Sequence, residues 1–512
     1  MDTALKRTPE ALHAGQVHGR HDAERMANAS PANWSNPRPR ARYHLLVIGA
    51  GPAGLVAARG AAKLGARVAL IERHLLGGDC LNYGCVPSKA MIRSSRLVAD
   101  MRDAANYGVP PPSDLRVDFG VLMKRMRRIR ARISRSDSAA RLVDEGIDLY
   151  FGAAHFVGRD EVEVEGTRLR FAKALIATGS RPLLADIAGL NEAGFLTNET
   201  VFELTEQPSS LLVIGGGPLG CELAQAFARL GTRTIIAHSD PLFLPREERD
   251  AAQMVSDALG RDGVEVHLNT EATRVEMRDG RKVVELSSGG GRMSVAVDQI
   301  MTGIGRIPAV QGLGLEAAGV AYDHKKGVHV DDFLRTTNRR IYAAGDVCLE
   351  HRFTDAADAS ARIVVQNALF LGRKRMSALT IPWCTYTDPE VAHVGMYVKQ
   401  ARERNIPVKS FTIPMHDVDR AVADGEEDGF VKIHVREGTD TILGATVVAR
   451  HAGEMINGIS LAMVAGIGLR TLARVIHAYP TQAEGIRKAA DAYTRSRLTP
   501  WVAWLLRKWI NR

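Results

Sequence analysis

The sequence predicts an α/β fold built on two doubly wound parallel sheets, and two stretches carry the prediction. In the first, the apolar run Leu45-Leu46-Val47-Ile48 enters Gly49-Ala50-Gly51-Pro52-Ala53-Gly54. A helical stretch then runs to Leu64, and 67–72 reads as a second buried strand. In the second, Leu211-Leu212-Val213-Ile214 enters Gly215-Gly216-Gly217-Pro218-Leu219-Gly220, with a helix to Leu230 and a strand over 234–237. The pattern recurs 166 residues on.

A strand, a glycine turn, a helix and a second strand form the Rossmann-like fingerprint of a dinucleotide-binding domain. Gly49, Gly51 and Gly54 permit the tight turn and let backbone approach a pyrophosphate at the helix N-terminus. Glu72, 23 residues after Gly49, is placed to accept hydrogen bonds from a ribose. Gly215, Gly217 and Gly220 repeat the turn, so two dinucleotides are expected. The second strand ends in Ala237-His238-Ser239 with no acid at its tip. That absence, with His238, leans toward the 2′-phosphate of NADPH and leaves NADH open.

The 512 residues are 45% hydrophobic and 24% charged, as in ordinary globular protein, with material for about three domains. No stretch approaches the ~18 consecutive apolar residues of a membrane-spanning helix. Net charge is +9, yet residues 1–42 carry +3 and 485–512 carry +6, so the chain between them is neutral. A nucleic-acid-binding fold would place its excess in the folded part, so nucleic acid is not an expected partner. Residues 1–42, with Pro31, Pro37 and Pro39 and no apolar period, read as a disordered lead-in. They lack the apolar segment of a signal peptide, and Asp2, Glu10, Asp22 and Glu24 weaken a reading as an organellar targeting peptide. The expected location is cytoplasmic.

Between the fingerprints lies Gly77-Gly78-Asp79-Cys80-Leu81-Asn82-Tyr83-Gly84-Cys85-Val86-Pro87-Ser88-Lys89. Two cysteines separated by four residues at the start of a helix can close a disulfide, and a helix N-terminus lowers thiolate pKa. The pair therefore reads as redox-active. Zinc is not expected, because Cys221, Cys348 and Cys384 are isolated and supply no second pair.

The run from Cys80 to Lys89 resembles the active-site signature of the class I flavin disulfide reductases. That group includes dihydrolipoamide dehydrogenase, glutathione reductase and mercuric reductase. Ala177-Thr178-Gly179, Gly303-Ile304-Gly305-Arg306-Ile307-Pro308 and Tyr342-Ala343-Ala344-Gly345-Asp346 follow in the family's order. The resemblance implies that FAD occupies the first fingerprint, with Asp346 near its ribityl chain and Ala154, Thr178 and Gly179 contacting it through backbone. The nicotinamide cofactor would occupy the second, with Gly305 nearby. Lys89 and Glu222 resemble the ion pair beside the flavin. Cys85 would face the flavin, and Cys80 would be the interchange thiol that attacks the acceptor. The implied domains are 43–190 and 306–380 for FAD, 191–305 for NAD(P), and an α/β dimerisation domain at 381–490, with a basic tail at 491–512.

At the family's C-terminal His-Pro-Thr, this chain has Tyr479-Pro480-Thr481, with Glu484 five residues after Tyr479. In the implied homodimer each site would combine Cys80 and Cys85 of one chain with the partner subunit's Tyr479 and Glu484. A tyrosine, with a pKa of ~10, is a poor proton acceptor at neutral pH. Mercuric reductase also places a tyrosine here, so the resemblance tilts to that branch and to a soft acceptor such as mercuric ion. The C-terminal vicinal cysteine pair of that enzyme is not in this sequence, whose last cysteine is Cys384. A dihydrolipoamide dehydrogenase or glutathione reductase, and a membrane-associated flavoprotein redox sensor, are the alternatives.

Two basic stretches remain. Seven of the twelve residues 124–135 are Lys or Arg, with Leu122, Met123, Met126, Ile129 and Ile133 at helical spacing, which predicts an amphipathic helix with a solvated basic face. In the tail, Trp501, Trp504 and Trp509 stand among basic groups, a composition that suits peripheral membrane contact or packing along the dimer.

Overall fold

The computed structural model describes residues 18–511. Two compact units make up the chain: Met1–Ala237 with Thr270–Leu379, and His238–Asn269 with Thr380–Arg512.

In the first unit, parallel strands stand in the order Ile147–Phe151, Val68–Glu72, Tyr43–Ile48 and Thr167–Ile176, with Ile341–Ala343 beyond. Every residue of Val68–Glu72 is buried, which is why 68–71 is a continuous apolar run rather than an alternating one, with Glu72 at its end. Ala154–Gly158 and Glu161–Val164 extend the sheet antiparallel. A second parallel sheet sets Ser210–Ile214 between Arg233–Ala237 and Gln299–Thr302. The antiparallel meander Thr270–Arg278, Arg281–Ser288 and Gly291–Val297 adjoins it in sequence. The α/β fold with Rossmann-like sheets is as the sequence predicts.

The second unit is a five-stranded antiparallel sheet in the order Pro382–Thr385, Glu390–Gly395, Ile442–Ala449, Phe430–Arg436 and Val408–Pro414. Helices Ala452–Val464 and Glu484–Ser496 bury Ile456, Ile459, Ile486 and Tyr493 into its core. Residues 238–269, which the sequence places within the NAD(P) segment 191–305, group with this unit. Glu247 accepts hydrogen bonds from Trp383 Nε1 at 3.2 Å and Tyr397 Oη at 2.7 Å, and Glu248 pairs with His434 at 3.1 Å.

Two sequence expectations are corrected. The lead-in 1–42 is not disordered over its described part: Arg20–Ala29 is a helix, and Asp22, Arg25 and Ala29 are buried. Its composition hides this because the helix is held by ion pairs rather than by apolar spacing. Asp22 Oδ1 lies 3.0 Å from Arg130 Nη2, and Asp22 Oδ2 lies 3.4 Å from Arg127 Nε. Residues 1–17 lie outside the described part. The same contacts narrow the solvated basic face of helix Phe119–Ser134: Lys124, Arg128 and Arg132 are exposed as expected, whereas Arg130 is wholly buried and Arg127 nearly so. Further along the lead-in, the Asn36 side chain exchanges two hydrogen bonds with the Phe151 backbone, at 2.9 and 2.8 Å, and so pairs the edge strand.

The tail forms a helix, Pro500–Ile510, none of whose residues is buried. Among the described residues no helix is long and apolar enough to cross a membrane.

Candidate functional site

Helix Gly78–Asn82 carries Cys80, and helix Cys85–Asp103 begins at Cys85. Both cysteines are free thiols, Cys80 half-buried and Cys85 exposed. The Cys80 thiol donates its hydrogen bond to Cys85 sulfur, which holds the Cys85 pKa down to about 6. Burial opposes this shift, and the Lys89 ammonium supports it. Cys80 is pushed well up by the same bond and by burial, so it keeps the proton. Thr354, at the start of helix Thr354–Leu369, places Oγ1 3.6 Å from Cys85 Sγ. The pair thus divides into a thiolate and a proton-bearing thiol.

Lys89, one turn into the Cys85 helix, sets Nζ 2.7 Å from Glu222 Oε2. Glu222 lies in helix Pro218–Leu230, which starts at the second glycine turn, and is 4% exposed. The ion pair therefore ties the cysteine helix to the second fingerprint.

The first fingerprint has the shape a dinucleotide needs. A Cβ on Gly54 would stand 1.8 Å from Gly49 O, so glycine there is dictated by the chain's own packing. A Cβ on Gly51 would meet only Gly78 Cα, at 3.8 Å. The space beside Gly51 is left clear at the N-terminus of helix Pro52–Lys63, which has no side-chain cap. Glu72 accepts from Ala50 N at 2.7 Å and His74 N at 2.8 Å, and burial pushes its carboxyl pKa up. Its oxygens retain lone pairs for ribose hydroxyls. These residues fit the ribose and pyrophosphate of FAD.

Thr178, Gly179 and Asp346 converge on the same sheet end. Thr178 Oγ1 donates to Ala309 O at 2.8 Å, and Gly179 O accepts from Ala309 N at 2.9 Å. Ser180 Oγ donates to Asp346 Oδ2 at 2.6 Å and receives Arg306 Nε at 2.7 Å. Arg306 Nη2 in turn lies 3.0 Å from Asp79. Ala154 is buried in the antiparallel extension. In the second fingerprint, Gly220 packs on Gly215 as Gly54 does on Gly49, and Gly217 faces clear space. Gly305 has φ +125° with nothing near its missing Cβ.

His238, Tyr479 and Glu484 belong to the second unit. The His238 backbone N–H donates to His267 O at 2.9 Å. Tyr479 is 70% exposed, and its hydroxyl donates to Asp419 Oδ2 at 3.0 Å. That hydrogen bond raises the phenol pKa above its usual value. Glu484 is buried and pairs with Arg487.

Sequence reasoning missed Asp79, Asn82, Ser180, Arg306 and Thr354. Asp79 and Asn82 stand inside the cysteine segment itself, and Arg306 inside a quoted run. Thr354 carries no motif; only the fold brings it to Cys85. Among the described residues, no cluster of His, Cys, Asp or Glu could hold a metal ion.

Comparison with known proteins gives a consistent result. Residues 43–364 match the pyridine nucleotide-disulphide oxidoreductase family, and residues 381–490 match that family's dimerisation domain. The chain is 33% identical over 497 residues to a mercuric reductase of Lysinibacillus sphaericus, covering 97% of this chain and 89% of that protein. It is equally 33% identical over 462 residues to a dihydrolipoyl dehydrogenase of Thermus scotoductus, covering 88% and 97%. Among solved structures it resembles the HOCl-induced flavoprotein disulfide reductase RclA from Escherichia coli. That match has a TM-score of 0.78 and 30% identity, over 88% of this chain and 99% of that one.

Proposed function

Because the chain belongs to the pyridine nucleotide-disulphide oxidoreductase family, whose members use FAD and a pyridine nucleotide, we propose that it passes electrons from NADPH through flavin to Cys80 and Cys85. From there they go to a soft electrophile, mercuric ion or another thiol-reactive metal species. The observation that carries this reading is the asymmetric thiol pair. Cys85 is a thiolate near neutral pH beside Lys89, and Cys80 holds the proton against it. Thiolates select soft cations.

FAD, when bound, would supply two-electron carrier chemistry between a pyridine nucleotide and the cysteine pair. The chain's residues do the rest. Glu72 and the clear turn at Gly51 hold the ribose and pyrophosphate. Asp346, anchored by Ser180, and the backbone at Ala154, Thr178 and Gly179 hold the remainder of the flavin nucleotide. Lys89 keeps a positive charge beside Cys85, oriented by Glu222. Gly215, Gly217, Gly220 and Gly305 hold the nicotinamide nucleotide, with His238 favouring a 2′-phosphate. When a soft cation binds both sulfurs, Cys80 releases its proton to solvent, and two electrons pass to the cation as the Cys80–Cys85 S–S bond forms.

The domains of this reading are 43–190 and 306–380 for FAD, 191–305 for NAD(P), and 381–490 for dimerisation, the last suggesting a homodimer. The partner subunit's Tyr479 and Glu484 would complete each site. A dihydrolipoyl dehydrogenase activity is the second reading, favoured by the equal identity to that enzyme. Tyr479 counts against it, since its hydroxyl already donates to Asp419 and resists ionisation.

Anaerobic titration of the flavoprotein with NADPH, followed by alkylation of new thiols, tests the electron path. Two thiols per chain at Cys80 and Cys85 are expected. Flavin bleaching with no new thiol would remove the pair from the path.

For the tail we propose contact with an anionic lipid surface. Trp501, Trp504, Leu505, Leu506 and Trp509 are all exposed, and the +6 charge of 485–512 complements such a surface. Cosedimentation with phosphatidylglycerol vesicles but not phosphatidylcholine vesicles is expected, and it should be lost on deleting 499–512. Concentration-dependent association through the tail without vesicle binding would overturn it.

A further inference from the structure

The helix Arg20–Ala29 reaches the cysteine segment from behind, and its contacts have no part in the scheme above. Arg25 Nη1 donates to Asn82 Oδ1 at 3.0 Å, and Arg130 Nη1 donates to the Asn82 carbonyl at 2.9 Å. Asn82 uses its amide as well, with Nδ2 donating to Leu76 O at 3.1 Å and Gly78 O at 2.9 Å. Asn82 is wholly buried and stands between Cys80 and Cys85 in sequence. The last residue of the helix makes a second tie: Ala29 O accepts from Leu76 N at 3.0 Å. The ends of helix Gly78–Asn82 are therefore fixed from one side by a segment that precedes the family match, which begins at residue 43.

The charges that hold this arrangement are buried together. Asp22, wholly buried, faces Arg130 at 3.0 Å, Arg127 at 3.4 Å and Arg25 at 3.8 Å, and Glu203 faces Arg130 at 3.0 Å. Three guanidinium groups face two carboxylates in a low-dielectric interior, where a loose member is costly, and the Nε atoms of Arg25, Arg127 and Arg130 and one Glu203 oxygen carry no hydrogen bond of their own. Such a network has a narrow choice of geometries, and it hands that rigidity to Asn82.

We propose that the N-terminal helix is a clamp on the redox segment, in which Arg25 acts as a positioning residue that favours closure of the Cys80–Cys85 disulfide. The proposal rests on the redox reading of the two cysteines. A disulfide needs Cβ atoms about 3.8 Å apart. Holding Asn82 fixed limits the conformations open to the dithiol, so less freedom is lost when the S–S bond forms. In the exchange with dithiothreitol, the protein's two S–H bonds break and its S–S bond forms. The S–S bond of oxidised dithiothreitol breaks, taking up the two electrons and two protons.

The test uses the full-length flavoprotein and Arg25→Met, equilibrated in dithiothreitol redox buffers, acid-quenched and alkylated. The fraction of Cys80–Cys85 disulfide is read by mass spectrometry. In the wild-type protein the disulfide forms. In Arg25→Met its equilibrium constant should fall about ten-fold, the order expected when one residue's backbone freedom returns. Arg25→Lys keeps the positive charge but cannot span Asp22 and Asn82 together, so it should shift the constant the same way and serves if Arg25→Met does not fold. A purely structural role would lower the unfolding temperature and leave the constant unmoved. Folded variants within two-fold of wild type would overturn the clamp while the redox reading stands. A wild-type protein that never forms the disulfide would remove the redox reading, and the clamp with it.

Discussion

The Lys89 ammonium stands 2.7 Å from Glu222, joining the helix that starts at Cys85 to the helix that starts at the second glycine turn. One ion pair therefore links the helix that begins at Cys85 to the second glycine turn. Glu222 is buried while the Lys89 side chain is 33% exposed, so the pair is partly screened. Lys89→Met should destabilise the protein by about 2–3 kcal/mol, below the full cost of stripping a buried charge of its partner. Thermal and urea unfolding measure this. The same variant should raise the Cys85 pKa, read as a higher midpoint in the pH dependence of iodoacetamide alkylation.

The cysteine pair sets a pH dependence of stability in the reduced protein. Cys85 is depressed to about 6, below the ~8.5 of an unfolded cysteine, so it contributes stability above the unfolded value. That contribution is lost as pH falls through 6. Cys80 is shifted upward, so its contribution is present below the unfolded pKa and is lost as pH rises through its raised value. Urea midpoints of the reduced protein should climb from pH 6 to about 8.5 and decline beyond. A Cys80→Ser, Cys85→Ser protein should lose this profile.

Glu72 accepts from two backbone donors, the buried Ala50 N–H and the N–H of the exposed residue His74. Glu72→Ala should leave the buried Ala50 N–H without this acceptor, at about 1–3 kcal/mol, and should lower flavin retention. The ratio of flavin to protein absorbance after gel filtration checks it, and full retention would remove Glu72 from the nucleotide site.

Tyr479 is exposed, bonded to Asp419 and shifted away from ionisation. Tyr479→His would install a group that titrates near neutral pH. Turnover with a small disulfide at pH 7 should then rise by about a hundred-fold, the lower range of general acid–base catalysis. An unchanged rate would place position 479 away from the proton path.

Deleting 499–512 should leave the free energy of unfolding within about 0.5 kcal/mol of wild type, because none of Pro500–Ile510 is buried. Urea unfolding of the truncated chain decides it.

The sequence by itself determined the two glycine turns, the buried parallel strands and the cysteine segment, because each rests on local chemistry. A turn that a Cβ would block must be glycine, and a strand buried on both faces must be apolar throughout. Only the tertiary structure decided the rest. Thr354 reaches Cys85 across 269 residues of chain. Within the largely solvated basic run 124–135, Arg127 and Arg130 are buried against Asp22, more than a hundred residues away. A lead-in with no apolar period folds for the same reason. Its contribution is a set of charges whose partners lie elsewhere in the chain, and a buried ion pair leaves no periodic trace in either segment that supplies it.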